Sequence, residues 1–388
     1  MSSSSEAWRD FCRRLEAAGD TLLEGVEGAG PEDEAEGYRH LARLAEYALQ
    51  WHLEFHDPEF PAFHRYDDDV VKWGGPNTDN HYFRAKIDPN SSYRLRFDAR
   101  GVREVLISTP EGEMQFDQYK VFEERCLADL ETGEDGNVEI VLGEKPGTGN
   151  WIPLDPAADH VLIRVYSVDW ERDAVPVFFI EKIGNEGCAP ERLAPQTLAS
   201  RLDGAANWIE RTLPYWKRFM AQRRAAGRPN ELATPVAVPG GAQNILYGGG
   251  SWQLENDECL LVESELPHAT YSSFQLYSEP WFESLDFANR VTSLNDRQIH
   301  VDADGRFRIV VSAKDPGVPN WLDTEGRRGG LVSHRVVGAN ESPAVESRKL
   351  ELADLRDELP GDVPIFDEDA RRKQIAGRRT AVTHRFRK

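Results

Sequence analysis

The stretch Asp304-Gly305-Arg306-Phe307-Arg308-Ile309-Val310, followed by Asp315-Pro316-Gly317-Val318-Pro319-Asn320-Trp321-Leu322, decides the fold, because the chain has written it once before. The earlier copy reads Asp135-Gly136-Asn137-Val138-Glu139-Ile140-Val141, then Lys145-Pro146-Gly147-Thr148-Gly149-Asn150-Trp151-Ile152. Gly136 precedes Trp151 by 15 residues and Gly305 precedes Trp321 by 16. An arginine on a β-like run follows each copy, Arg164 after Trp151 and Arg335 after Trp321. Asp-Gly is a hairpin turn signal. Pro and Gly shape the loop, and the Asn amide ties it to backbone. The Trp is a large apolar plug whose N–H needs one partner. One supersecondary unit used twice is the result.

Working outward, short runs rich in Val, Ile, Tyr and Phe surround each copy. The first set is Tyr82–Ile87, Tyr93–Phe97, Val102–Ser108, Val138–Leu142, Val161–Val168 and Val177–Ile183. Strands at this spacing, with Pro/Gly/Asn punctuation, predict a β-sandwich. The helical texture lies elsewhere. Residues 6–24 carry Trp8, Cys12, Leu15, Ala18 and Leu22 at helical steps, with Ser3 and Glu6 as a capping box. Residues 34–56 place Tyr38, Leu41, Ala45, Ala48 and His52 on one face, and 196–226 form a helix that Pro214 should kink. The expected architecture is mainly β with α: two jelly-roll-like β-sandwich domains related by an internal repeat, an N-terminal helical hairpin and a connecting kinked helix. The expected boundaries are 1–60, 61–190, 191–250, 251–349 and 350–388, the last segment a helix near 350–359 and a basic tail.

The 388 residues carry 46 Lys+Arg against 67 Asp+Glu, a net charge of −21, which opposes a nucleic-acid or anionic-membrane surface as main partner. Residues 369–388 reverse the sign, with eight basic residues and one acid, and read as a tail docked on the acidic body or on a neighbouring subunit. The four cysteines form no CxxC pair, and no secretory leader or apolar span is visible, which fits a cytoplasmic location. Expected partners are a small-molecule substrate and further copies of the chain as a homo-oligomer, with no nucleic acid, no membrane and no cofactor.

The run Trp281-Phe282-Glu283-Ser284-Leu285-Asp286-Phe287, then Thr292-Ser293-Leu294-Asn295, then Asp315 through Thr324, resembles the "domain of unknown function 1214" family of actinobacteria and other bacteria. Asn77-Thr78-Asp79-Asn80-His81-Tyr82 is similar to the Asn-Pro-Asp-Asn-x-Tyr segment of longer members, and the resemblance spans nearly the whole chain. It implies jelly-roll-like sandwiches and little chemistry. Phe287 stands where members often have Tyr, and Gly326-Arg327 where they often have Gly-His; if those groups act in relatives, this chain has altered the chemistry.

For a site, the residues around the second copy are the candidates: Asp315, Asp323 and Arg335 as catalytic groups, with Asn320, Asp286, Arg290 and Asn295 beside them. Two carboxyls with an arginine suit acid–base hydrolysis when one acid stays protonated. Trp252, Trp281 and Trp321 offer stacking surfaces for a sugar or flat ligand, and His268 a base. Asn80 and Tyr82 are the weaker counterpart near the first copy. The structural alternative stays open for each: Asn-Trp staples a sandwich, the aspartates cap turns, Arg335 pairs with one of them. His52 and His56 have helical chelate spacing with His64 nearby, yet His52 sits on an apolar stripe, so no metal is expected. No GxSxG, P-loop or GxGxxG is present. The expected function is a hydrolase or lyase acting on a glycosylated or hydroxylated lipid-like small molecule. The alternatives are a non-catalytic carbohydrate- or lipid-binding protein and a structural jelly-roll assembly protein.

Overall fold

The computed structural model describes residues 4–26, 29–238 and 244–387, so the Ser3 half of the expected capping box lies outside the described residues, as does part of the expected linker before Gly250. The chain divides into two compact units. The first comprises Met1–Lys72, Asn80–Ser167 and Arg172–Trp216, the second Trp73–Asp79, Val168–Glu171 and Lys217–Lys388.

Unit 1 begins with helices α1 (Ser4–Asp20) and α2 (Pro31–Leu49), the latter running on into a π-helical turn, Gln50–Glu54. Of the expected stripe, Ala18 and Leu22 are buried, while Trp8 and Cys12 are exposed and Phe11, next to Cys12, is buried instead. Nine strands follow: β1 (His64–Asp67), β2 (Asn80–Lys86), β3 (Tyr93–Asp98), β4 (Glu104–Glu113), β5 (Gln118–Cys126), β6 (Asn137–Leu142), β7 (Asn150–Ile152), β8 (His160–Tyr166) and β9 (Phe179–Lys182). They form a five-stranded sheet, β1-β2-β8-β4-β5, and a four-stranded sheet, β7-β6-β3-β9. The long helix α3 (Pro195–Ala225) is continuous through Pro214.

Unit 2 repeats the plan strand for strand: β10 (Ala233–Ala237), β11 (Ile245–Gln253), β12 (Glu258–Glu265), β13 (Tyr271–Tyr277), β14 (Ser293–Asn295), β15 (Arg306–Ser312), β16 (Trp321–Asp323), β17 (Gly329–Val337) and β18 (Glu346–Glu351). Its sheets run β10-β11-β17-β13-β14 and β16-β15-β12-β18. Strand order in sequence and in space is the same in both copies. The parallel pairing of β6 with β7 recurs between β15 and β16. The expected helix near 350–359 is only α4 (Leu355–Glu358), because β18 takes the residues before it, and the basic tail is a helix, α5 (Glu368–Phe386).

Strand alternation fills each core. In unit 1, Ala85, Val105, Ile107, Val161, Ile163 and Val165 point inward to meet Leu95, Phe97, Val138 and Ile140. In unit 2, Phe274, Leu276, Leu294 and Val332 meet Leu260, Val262, Phe307 and Ile309. The Asn-Trp loops are staples in both copies. Asn150 Nδ2 donates to Glu131 and Glu139 carbonyls, and its Oδ1 accepts from Glu131 N–H. Asn320 Nδ2 donates to His300 and Arg308 carbonyls, and its Oδ1 accepts from His300 N–H. The indole N–H of Trp151 closes on Gly143 O, that of Trp321 on Ser312 O.

Candidate functional site

The expected grouping around the second copy does not form. Asp315 is held by Arg371 of α5, with Nε at 2.9 Å and Nη2 at 3.1 Å. Asp323 pairs with Arg290 at 2.8 Å and caps Glu325 N–H. Arg335 donates from Nη2 to Gly75 O at 2.7 Å. The three residues predicted to act together therefore serve three separate contacts. Asp286 accepts from the N–H groups of Ala288 and Asn289 in an Asx turn. Trp252, Trp281 and Trp321 are core residues and offer no stacking platform, and both amide groups of Asn320 are used up in its staple. His268 stands exposed in the bend before β13 rather than at a strand start. Phe287, the departure from Tyr, packs edge-on against Trp170 and Phe386.

Asn295 has a different role. Its Nδ2 donates to Asp79 Oδ1 at 2.8 Å and to Val168 O. Asp79, fully buried, also accepts from Trp170 Nε1 at 2.6 Å and from Tyr271 Oη at 2.7 Å. Tyr271, Ser273, Gln275 and Tyr277 alternate along β13 on the face away from the core, and Gln275 is satisfied by Asn77, Thr78 N–H and Tyr277. The α5 arginines recur every seven residues and so lie along one helix face. Arg378 donates to Phe287 O, Ser293 O and Ser293 Oγ, and Arg385 to Thr78 O. Burial pulls the Arg378 guanidinium down to about 10, against the opposing pull of the Asp79 charge. The outer face of this sheet is thus polar, covered and closed by the chain's own groups. The basic tail is accounted for by docking on its own unit.

The same face in unit 1 is furnished differently. Register places His64, Arg84, Leu162, Ser108 and Glu124 in one row across β1, β2, β8, β4 and β5. The row beside it holds Tyr82, Arg164 and Leu106, and the other neighbour holds Lys86 and His160. An alternating antiparallel strand is expected to keep such polar residues in water. Here helices cover them. Tyr47 of α2 and Trp51 of the π-helical turn lie 4.8 and 4.0 Å from the Arg84 guanidinium. Trp208 of α3 donates its indole N–H to Glu113 Oε2 at 2.8 Å.

Coverage leaves polar atoms stranded. Arg84 Nε, Ser108 Oγ, His52 Nε2, His56 Nδ1, His64 Nδ1 and Thr212 Oγ1 are buried without a hydrogen-bond partner among the described residues. A buried polar group without a partner costs roughly 1–3 kcal/mol, so each of these atoms calls for an explanation. Around them sit ionised groups. Burial pushes the Glu113 carboxyl up, but the Arg84 charge and hydrogen bonds from Trp208 and Gln115 outweigh it and hold it below the usual carboxylate range. Asp159 is likewise opposed by burial and held low by His160 and Lys86. Asp159 Oδ1 lies 2.6 Å from His160 Nδ1, and its Oδ2 3.0 Å from Lys86 Nζ. Burial lowers the His160 imidazole despite Asp159, so the ring is neutral near pH 7. An ionised carboxylate only accepts, so Nδ1 carries the proton and Nε2 presents a lone pair. Burial also lowers His52 and His56 to about 4. Their rings are 5.3 Å apart, but His64 bonds Gln50 instead of joining them, and no group of three metal ligands occurs among the described residues.

The two copies can be compared position by position. Tyr82 and Arg164 have the counterparts Tyr247 and Arg335 in the matching row. The neighbouring rows diverge: Arg84, Ser108 and Glu124 correspond to Gly249, Gln275 and Ser293, and Lys86 and His160 to Ser251 and Leu331. A Cβ at Gly249 would meet Val332 O at 2.0 Å, so no side chain can return there. The ionisable groups of this face, Arg84, Lys86 and His160, thus belong to the earlier copy alone. Of the residues singled out from sequence, Tyr82 lies on the unit 1 face, and Asn80 opens the same strand with its Oδ1 unpartnered. Arg84, Glu113, Asp159 and His160 were not singled out; the signal was the alternation Tyr82-Arg84-Lys86 along one strand.

Comparison with known proteins agrees with the duplication. Residues 82–169 and 253–341 each match the family model described as Protein of unknown function (DUF1214). A solved structure of an uncharacterised protein from Burkholderia cenocepacia is 31% identical, covers 90% of this chain and 98% of its own, and superimposes with a TM-score of 0.84. A solved Vibrio parahaemolyticus protein is 12% identical, with coverage of 86% and 99% and a TM-score of 0.47. No curated protein matches the chain.

Proposed function

The chain belongs to the DUF1214 family, and we propose that its first repeat is an acid–base enzyme site for a small hydroxylated molecule, a hydrolase or lyase, seated on the covered outer face of the β1-β2-β8-β4-β5 sheet. The observation that carries this is the stranded row: among the described residues, Arg84 Nε and Ser108 Oγ are buried without a partner on this face, whereas Gln275, which stands in the second copy where Ser108 stands in the first, is bonded to Asn77, Thr78 N–H and Tyr277. His160 is the base. Asp159 fixes its tautomer and orientation, and the bare Nε2 takes a proton from a substrate hydroxyl or from water. Lys86 and Arg84 stand near to receive negative charge, and Trp51 and Trp208 keep water out. The inward-turned arginines of α5 support a small-molecule rather than a nucleic-acid partner.

The test is a panel of hydroxy acids, glycosides and esters, followed by thermal stability and by product. The reading expects at least one compound to stabilise the protein, with His160→Gln keeping that stabilisation and losing turnover. Ser108→Val should raise the basal melting point, since it removes a stranded hydroxyl, while weakening the ligand shift. Stabilisation without product in the wild type would replace the enzyme by a binding protein. A panel with no response, or a response equal in Ser108→Val, would remove the site altogether.

A further inference from the structure

Arg84 deepens that reading and rests on it. Its side chain is 4% exposed, and its guanidinium is boxed by Trp51 at 4.0 Å, Tyr47 at 4.8 Å and Tyr66 at 5.3 Å. Such a box fixes the plane of the guanidinium and leaves its N–H edge as the reactive side. That edge is barely used. Among the described residues it makes one hydrogen bond, Nη2 to Glu113 Oε1 at a long 3.2 Å, and Nε is buried with no partner. Glu113 is itself committed elsewhere, accepting from Trp208 and Gln115 on its other oxygen at 2.8 Å each. The contrast lies in the same molecule: Arg371, equally buried, spends Nε and Nη2 on a bidentate grip of Asp315. Arginine–carboxylate pairs are frequently bidentate in this way, and Arg378, buried without one, spends Nε, Nη1 and Nη2 on Phe287 O, Ser293 O and Ser293 Oγ.

We propose that Arg84 is the specificity-determining residue of the site and that it receives a carboxylate of the substrate through its unpartnered Nε–H edge, with Glu113 holding the guanidinium in place. A hydroxy acid is the class that satisfies both ends: the carboxylate on Arg84, the hydroxyl toward His160. The surroundings favour a monoanion over phosphate. Glu113 and Asp159 are already ionised nearby, so a second unit of negative charge on the ligand meets repulsion with few cations left to offset it. The second copy has Gly249 in this position and forms no equivalent clamp.

The experiment compares compounds that differ only at the acid group. Lactate and glycolate, their amides, glycerol and inorganic phosphate are titrated against the full chain, with melting temperature and calorimetry as readouts. The acids should stabilise the protein and the amides should bind at least about tenfold more weakly, since a charge-assisted fork is lost. Arg84→Lys should weaken acid binding by a similar factor and leave the amides unchanged. The wild-type comparison stands alone if that variant does not fold. Equal binding of acid and amide, or preference for phosphate, would overturn the carboxylate clamp while leaving the site reading intact. No binding by any compound of the wider panel would overturn the site reading itself.

Discussion

Replacing Asn320 with alanine separates a staple from a ligand contact. The side chain is 3% exposed and makes three hydrogen bonds: His300 N–H to Oδ1 at 2.7 Å, and Nδ2 to His300 O at 2.7 Å and to Arg308 O at 3.0 Å. At about 1 kcal/mol net each, the change costs about 3 kcal/mol, and the stranded backbone groups keep it from being smaller. Asn150 makes the same three bonds, to Glu131 and Glu139, but is only half-buried, so water can stand in and Asn150→Ala should cost about 1 kcal/mol. Urea titration gives the totals. Hydrogen exchange says which repeat has opened, a needed control because a two-unit chain need not unfold in one step. The prediction is increased exchange in β15 and β16 for Asn320→Ala and in β6 and β7 for Asn150→Ala, with ligand response kept in the first case. A stability change below about 0.5 kcal/mol in Asn320→Ala together with lost ligand binding would refute the staple and restore Asn320 to a binding role.

His334 lies in the unit 2 core, stacked 3.9 Å from Phe274, with neither ring nitrogen bonded among the described residues and its imidazole lowered to about 3 by burial. His334→Leu should therefore stabilise by about 1–3 kcal/mol at pH 7, read by urea midpoint; an equal loss would mean that the ring has an unseen partner. For the wild type, His52, His56 and His334 bind protons more readily unfolded than folded. Stability should accordingly fall as pH drops from about 6.5, before Asp159 and Glu113 protonate, and the decline should be shallower in His334→Leu. A flat profile between pH 7 and 5 would contradict this. Asp315→Asn should cost about 1–3 kcal/mol by loosening Arg371 and α5, with turnover unchanged; loss of turnover at unchanged stability would reinstate Asp315 as catalytic.

The duplication was legible because Asp-Gly, Pro-Gly and Asn-Trp are local signals whose spacing survives in both copies. Strands β1, β7, β10 and β16 escaped notice since three to five residues are too few to show alternation. The roles of the two aspartates were illegible for a related reason. Asp315 and Asp323 look catalytic in a conspicuous loop, yet their partners, Arg371 and Arg290, are fixed only by tertiary packing. Arg84 and Lys86 alternate with Phe83 and Ala85, a pattern that an antiparallel strand ordinarily turns toward water. That side is buried because Trp51 and Trp208, more than a hundred residues apart, fold over it. The tail read as a docked cation and is one; periodicity gave no sign that Arg371, Arg378 and Arg385 mark a helix, because its apolar moment is weak.

Hydrogen exchange with and without the strongest stabilising compound is the most direct measurement. New protection confined to β2, β4, β8 and the Trp51 and Trp208 helices is the predicted outcome. Protection on β11, β13 and β17 instead, with the first repeat unchanged, would contradict the assignment of the working face to the earlier copy.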